Sequence, residues 1–428
     1  MSSSEGEKGE KQSGGMLSNG SIEFGRQEGV DDGEVFQKIP GKVDFRTVGW
    51  IQASVIFLKV IFATGVLTIP SAMFVLGALP GAINVLGWQG LNTYCAIVQG
   101  NFRNRHAGCH SIADMANVVG GTWLKAAISE IVGVLFLVTY AIVGASGIFG
   151  TSVALNVLSS HAICTNWFML VATIAVLILA SVRKFESIAW LTWAGFLTVY
   201  VAVFIVVVGV TSLDRPAAAP QTGDYEFGYH VIGHPTFVAA ITSVSTIFCS
   251  GAGTSAFLPV ISEMRRPRDY NKAVYLCMGI VTASYLTFSL VVYKYCGQWV
   301  ASPSLGSAGP TIKKVAYGIG LTGLLVSACL YVHVAAKYLF ASGIPIFNYL
   351  LALAGSLTFS PLALGLPGYL WIYDHQHYRK GKMWQAVVYY LNWLIIALSV
   401  FLTIGGTYGV IQNIIDAYSQ GPIGGAFS

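Results

Sequence analysis

An all-α fold that crosses a membrane many times is what this sequence predicts, and three observations predict it. Hydrophobic residues make up 54% of the 428 positions and charged ones only 10%, with a mean hydropathy of +0.65. The apolar residues fall in repeated runs near the roughly 20 residues that one membrane-crossing helix needs. Two of these runs are interrupted mid-way by small residues and prolines, at matching places in the two halves of the chain. Lipid offers no hydrogen-bond partner to a backbone, so runs of this kind cross it as helices. The apolar content is therefore spread over many spans instead of being gathered into one aqueous core.

The elements follow in order. Residues 1–41 form a Ser-, Gly- and Glu-rich tail with too little apolar content to fold alone. The first forty residues hold eight of the nineteen acids but four of the twenty-four basic residues. They contain no apolar signal-peptide core, so the first span is the expected targeting signal. A membrane domain is expected over 42–412 and a short tail over 413–428. Its first, interrupted span covers 48–78. Pro80 and Gly81 open the second, which stops before Arg103 and Arg105. An amphipathic stretch from Ser111 to Gly121 precedes a long third span at 123–158. The fourth, 163–182, stops at Arg183 and Lys184. The fifth, 186–210, leads into a polar, proline-bearing loop from Asp214 to Gly233. The interrupted sixth covers 235–262 and ends in a basic stretch reaching Lys272. The seventh covers 273–296, the eighth 315–340 and the last 384–411, with one further apolar region over 341–373.

Orientation follows from the basic residues. With the N-terminus inside, loops holding Lys42, Arg103, Arg183, Arg265 and Lys272 face the cytoplasm. Outer loops up to the eighth span then hold only Arg215, Lys294, Lys313 and Lys314. This excess of basic residues is a membrane signature, not a nucleic-acid one, because no basic stripe interleaves with aromatics. The same count exposes a parity problem. If 341–373 crosses once, Arg379, Lys380 and Lys382 land outside. About ten spans are present; either a short re-entrant piece around Ser342-Gly-Ile-Pro345 supplies a return, or a span is absent between Phe340 and Ala341, and the absent span is the favoured reading.

The interruptions are the expected binding site. The first is Ala63-Thr-Gly-Val66 and the second Cys249-Ser-Gly-Ala-Gly-Thr254. Unwound backbone at membrane depth survives only inside protein or along a cavity. A pair of such interruptions in corresponding positions points to a transporter's binding centre. Residues Ala63, Thr64, Gly65, Val66, Cys249, Ser250, Gly251, Ala252, Gly253 and Thr254 would offer free N–H and C=O groups to a zwitterion. Half-helix N-termini suit its carboxylate and C-termini its ammonium. The plainer alternative is that these small residues only permit close helix packing.

Ionisable residues inside spans are costly and are functional hypotheses by default. Lys59, Glu130 and His333 are candidates for proton coupling, with snorkelling to the interface as the alternative for the first two. Glu263 is expected at the inner gate, paired with nearby arginines. Tyr140 and Phe248 are expected along an apolar side-chain pocket. No span carries the clustered His, Asp or Glu that hydrolysis or metal chemistry needs, so no enzyme, cofactor or metal is expected.

The flanks of the two interruptions carry a resemblance. Ala63-Thr-Gly-Val-Leu-Thr-Ile-Pro70 resembles the first-helix motif of the amino acid/auxin permease family. Pro259-Val-Ile-Ser-Glu-Met-Arg-Arg-Pro-Arg-Asp-Tyr-Asn-Lys-Ala273 resembles that family's sixth-helix exit. Ile344-Pro-Ile-Phe-Asn348 and Leu366-Pro-Gly-Tyr-Leu-Trp-Ile-Tyr-Asp-His375 resemble its fungal branch, which includes neutral and aromatic amino acid permeases. The resemblance implies a leucine-transporter-like inverted repeat of eleven spans with helices 1 and 6 broken. It also implies proton-coupled amino acid import; the expected cargo is neutral, bulky apolar or aromatic amino acids, and the expected membrane is the plasma membrane ahead of the vacuolar one. The expected partners are an amino acid, protons and the lipid bilayer. Relatives in that family carry a ninth helix where the charge count asks for one. Two competing readings are an amino acid sensor that does not transport and an inactive form shortened by one span.

Overall fold

The computed structural model describes residues 46–62, 65–106, 108–109, 112–180, 185–334 and 354–419. The N-terminal tail, Ala63, Thr64, Lys337 and the Phe340–Ala341 junction lie outside the described residues. Among those described, the regular structure is helical apart from one isolated parallel bridge between Val48 and Met264.

Helix α1 spans Trp50–Ile61 and α2 spans Ile69–Leu76. Helix α3, Ala78–Arg105, starts after Gly77, whose φ of 90° breaks the chain direction. The amphipathic stretch forms α4, Ile112–Val119, and the long third run forms α5, Gly121–Leu158. Helix α5 ends because Ser160 and His161 take left-handed backbone angles. Their N–H groups turn back onto the carbonyls of Val157 and Asn156, satisfying acceptors that a helix end leaves free. Helices α6, Thr165–Ala180, and α7, Phe185–Thr211, follow. Thr236 caps α8, Phe237–Gly251, by accepting from the Ala239 N–H, as an N-cap hydroxyl does. Then come α9, Phe257–Glu263, α10, Tyr270–Cys296, and α11, Pro310–Val334. Pro310 fits the first helical position, where a missing N–H costs nothing. Helices α12, Leu366–Asp374, α13, Met383–Phe401, and α14, Thr407–Ser419, close the chain. Wider π-type turns at Ala354–Phe359, Pro361–Gly365 and Leu402–Gly406 lie among these last helices.

Six helical stretches of the described residues are long and apolar enough to cross a membrane: Ile131–Leu158, Thr192–Thr211, Phe237–Glu263, Pro267–Trp299, Pro310–Tyr331 and Met383–Asn413. The sequence predicts about ten spans; the fourth and the 341–373 region run into residues outside the described part, and two others fall short for physical reasons. Helix α1 stops after twelve residues. Helix α3 is long but carries Gln89, Asn92, Gln99 and Arg103, all fully or almost fully buried. Those residues lower its hydropathy while lying inside the protein, and its exposed face carries Leu79, Ile83 and Leu86.

Helix α11 packs along α5 and α7, α10 packs on α1 and α3, and α8 packs on α2 and α3. Small residues set the closeness of the first group. A Cβ on Gly323 would lie 2.7 Å from the Gly195 carbonyl oxygen, and one on Gly147 would lie 3.0 Å from the Ala328 backbone. Helices held by packing instead of by water exclusion depend on such approaches.

Two backbone clasps tie α1–α2 to α8–α9. Ahead of α1, the Val48 N–H donates to the Glu263 carbonyl at 3.1 Å, and the Arg265 N–H donates back to Val48 at 2.9 Å. At the α2–α3 junction, Ala78 and Leu79 donate to His230 and Val231, and Gly233 donates to Leu76.

Candidate binding site at the helix interruptions

Helix α1 ends at Ile61, and the chain resumes as a short 3-10 turn at Gly65–Leu67. The Thr68 hydroxyl donates to the Gly65 carbonyl at 3.0 Å, and α2 starts next with Pro70 in its first turn. Helix α8 ends at Gly251 and a second 3-10 turn covers Gly253–Ala256 before α9 begins. Pro259 lies in the first turn of α9, where the helix needs no donor. Both interruptions therefore combine residues that tolerate irregular backbone with a proline placed where a helix restarts.

Each interruption frees carbonyls that need partners in a buried setting. Three tyrosines supply them. The Tyr331 hydroxyl of α11 donates to the Val60 carbonyl. The Tyr285 hydroxyl of α10 lies 2.8 Å from the Ile61 carbonyl and 3.1 Å from the Ser250 carbonyl, so one phenol bridges both interruptions. The Tyr140 hydroxyl of α5 lies 3.4 Å from the Gly253 carbonyl and 2.8 Å from the Ser255 hydroxyl.

The two interruptions touch. A Cβ on Gly65 would fall 2.7 Å from the Ser250 Cβ and 2.9 Å from its Cα and carbonyl oxygen. Between them lies a cavity of about 20 Å³ lined by Val60, Ile61, Gly65, Cys249, Ser250 and Gly253. Val143 of α5, Tyr331 of α11 and Phe359 complete its wall. It holds about one water, so any larger ligand needs it to widen.

Of the predicted residues, Gly65, Cys249, Ser250 and Gly253 line the cavity. Val66, Ala252 and Thr254 are buried beside it. Gly251 faces the other way: a Cβ there would sit 2.2 Å from the Gln89 Oε1. Ala63 and Thr64 lie outside the described residues. Tyr140 reaches the second interruption through its hydroxyl, while its ring is 6.2 Å from those of Tyr331 and Phe359. Phe248 differs from expectation. It packs edge-on to Trp88 of α3 at 5.2 Å and is not among the cavity-lining residues.

The ionisable candidates separate. Lys59 is 1% exposed, and its Nζ donates to the Gly195 carbonyl at 3.2 Å, the Gly323 carbonyl at 2.9 Å and the Ser327 Oγ at 2.6 Å. It does not snorkel. Glu263 serves the clasp through its backbone carbonyl, and among the described residues its carboxylate forms no ion pair with the neighbouring arginines. Glu130 and His333 lie on α5 and α11, with side chains outside the described part. Among the described residues no His, Cys, Asp or Glu group could hold a metal ion.

Sequence reading missed Tyr285, Tyr331, Val143, Phe359 and Gln89. The available signal was a tyrosine hydroxyl or a side-chain amide in an apolar run, since buried polar groups need partners. Both amide atoms of Gln89 and the Thr254 Oγ1 are buried without a hydrogen-bond partner.

Known proteins resemble the chain along most of its length. The family described as "Transmembrane amino acid transporter protein" matches residues 46–340 and 325–412. A "Transmembrane transporter" of Gibberella moniliformis (strain M3125 / FGSC 7600) is 43% identical, with 92% of this chain and 90% of that protein aligned. The "N amino acid transport system protein" of Neurospora crassa is 25% identical over 91% of this chain and 89% of its own length. These two alignments run over 429 and 431 positions while leaving some of the 428 residues unaligned. Each relative thus carries residues inside the aligned region that this chain lacks. Among solved structures, the fold is similar to Mhp1, a nucleobase-cation-symport-1 family transporter in a closed conformation with bromovinylhydantoin bound. The TM-score is 0.50 at 15% identity, covering 88% of this chain and 93% of that one.

Proposed function

The chain belongs to the transmembrane amino acid transporter family, and from that premise we propose that it carries neutral, bulky apolar or aromatic amino acids together with protons. One observation carries the reading: two helix interruptions meet at Gly65 and Ser250 around one cavity. In this reading α1–α2 and α8–α9 are the two halves of broken spans in an inverted repeat. The zwitterion's ammonium shares the carbonyls at the ends of α1 and α8, which have a second lone pair beyond the one each tyrosine uses. Its carboxylate takes the N–H groups where the helices restart. The cavity's described lining holds no charged side chain, and Val143, Tyr331 and Phe359 suit an uncharged side chain. The two clasps serve as gates, rupture of one at a time giving alternating access. The N-terminus lies in the cytoplasm and the protein works at the plasma membrane.

A shortened scaffold is the second reading, favoured by the residues that relatives carry and this chain lacks. The family match restarts at residue 325 after running to 340, close to where the charge count asks for a ninth span between Phe340 and Ala341. That region falls outside the described residues.

Uptake of radiolabelled amino acids in a permease-deficient host, with and without a proton uncoupler, tests both readings. Neutral bulky amino acids are expected to accumulate, and the uncoupler is expected to abolish accumulation. Uptake that ignores the uncoupler rejects symport. Absence of uptake that returns once a ninth span is inserted at residue 340 identifies an inactive shortened form. Absence that persists favours a sensor.

A further inference from the structure

Lys59 is a buried cation whose hydrogen-bond partners are all neutral. Its three protons meet three oxygens, two of them backbone carbonyls and one a hydroxyl, and an ammonium has no further donor to offer. Among the described residues no carboxylate pairs with it. The site is built for it. Gly195 and Gly323 let α7 and α11 approach until their carbonyls face one point, and a Cβ on Gly195 would lie 3.1 Å from the Lys59 Cε.

Among the described side chains on the helices around it, Lys59 is the group that can change charge; Glu186 of α7 and His333 of α11 have side chains outside the described part. On α7, the Tyr200 ring lies 5.4 Å from that of Phe62, tilted by 33°. On α11, Tyr331 is committed to the Val60 carbonyl. On α10, Tyr285 is committed to Ile61, Tyr270 lies edge-on to Phe57, and Cys277 is buried. Glu263 ends α9 at the far end of α1, beside Val48. Lysine, unlike arginine, readily changes protonation when desolvated.

We propose that Lys59 is the proton carrier of transport, its protonated form locking α1 onto α7 and α11 and its neutral form releasing it. The inference rests on the amino acid transport reading above. The step is a simple transfer. One N–H bond of Lys59 breaks, its electron pair stays on nitrogen, and the proton passes to water on the side then open. The amine that remains has two donors and a lone pair for three oxygens, so the Ser327 hydroxyl either leaves the Gly323 carbonyl to which it donates, to donate to the nitrogen instead, or faces the lone pair repulsively. Residues Val60 and Ile61, next in sequence, line the cavity. A shift of α1 therefore reaches the amino acid directly.

The test uses the full chain in proteoliposomes, with amino acid exchange, accumulation driven by a pH gradient and proton flux measured together. Lys59→Met is expected to lower pH-driven accumulation at least tenfold and to abolish amino-acid-induced proton flux, while exchange persists at a reduced rate. Accumulation with proton flux in this variant overturns the proposal. Ser327→Ala keeps the lysine and removes one acceptor of the charged form, so protonation becomes harder. The pH midpoint of uptake is then expected to move down by about half a unit or more, and an unmoved midpoint overturns the proposal even if Lys59→Met does not insert. A native chain that moves no amino acid refutes the transport reading itself. A native chain driven by pH whose Lys59→Met variant behaves alike refutes only the assignment of Lys59.

Discussion

The two interruptions share a cavity but hold their backbone differently. At the first, three consecutive residues are tied to neighbouring helices: Lys59 through its ammonium, Val60 through Tyr331 and Ile61 through Tyr285. At the second, Ser250 shares Tyr285, Gly253 has a long 3.4 Å contact to Tyr140, and the Thr254 hydroxyl has no partner. Gln89, behind Gly251, also keeps both amide atoms unpaired. Unmade hydrogen bonds in a buried place cost free energy, so a fold keeps them where something else uses them. The contrast teaches a division of labour. In the proposed mechanism the first interruption grips the scaffold, and the second keeps hydrogen-bonding capacity in reserve for a ligand.

The contact between the interruptions is the place to break this arrangement with the largest effect. Gly65→Leu puts side-chain atoms onto the Ser250 backbone, which cannot swing away as a flexible side chain would. Uptake is expected to fall at least about 100-fold with the protein still at the membrane in normal amount, the equivalent of roughly 2.7 kcal/mol. Gly253→Ala is the matched comparison, because its Cβ would meet only Ile61 and Val60 at 3.4 and 3.5 Å. Wild-type uptake by Gly65→Leu would remove the shared cavity from the mechanism.

The bridging tyrosine tests the grip itself. Tyr285→Phe keeps the ring that lies 5.6 Å from Phe62 but strips the donor from the Ile61 and Ser250 carbonyls. Leaving buried acceptors unsatisfied is expected to cost about 1–3 kcal/mol, read as a lower unfolding midpoint of the purified protein. Tyr140→Phe is expected to cost less, since the Gly253 contact is long and Ser255 can re-orient. Equal losses in the two variants would erase the proposed difference between the interruptions.

Much of this was legible in the sequence because it depends on local chemistry. Apolar runs bounded by arginine, glycine and proline mark helices, so Ser111 to Gly121 reads as amphipathic, and Ile112–Val119 within it forms α4. The interruptions were expected because a glycine beside threonine or serine, with a proline several residues on, lets a helix stop and restart, although the same residues also suit close helix packing. The partners were not legible. Tyr285 meets a carbonyl 224 residues away, and a tyrosine in an apolar run reads the same whether it packs, lines a pocket or donates. Phe248 fails for a related reason: adjacency to Cys249 in sequence does not fix which face of α8 it occupies. Helix α3 reads as an ordinary span with scattered polar residues. Only the fold shows Gln89 and Asn92 turned toward α8, Asn92 at 3.4 Å from the Phe248 carbonyl.

The reserve at the second interruption gives the smallest and most selective test. Thr254→Val replaces a buried hydroxyl that bonds to nothing with a methyl of similar shape. Because the fold gains nothing from that hydroxyl, stability is expected to stay level or rise slightly. If the hydroxyl serves an amino acid in the widened cavity, the half-saturating concentration should rise about fivefold, the value of one neutral hydrogen bond of about 1 kcal/mol. The two readouts move in opposite directions only if the group is held for a ligand. A loss of stability would mean that Thr254 has a structural partner in some other state. Unchanged half-saturation would place the amino acid's polar contacts on the first interruption, reversing the division of labour between the two.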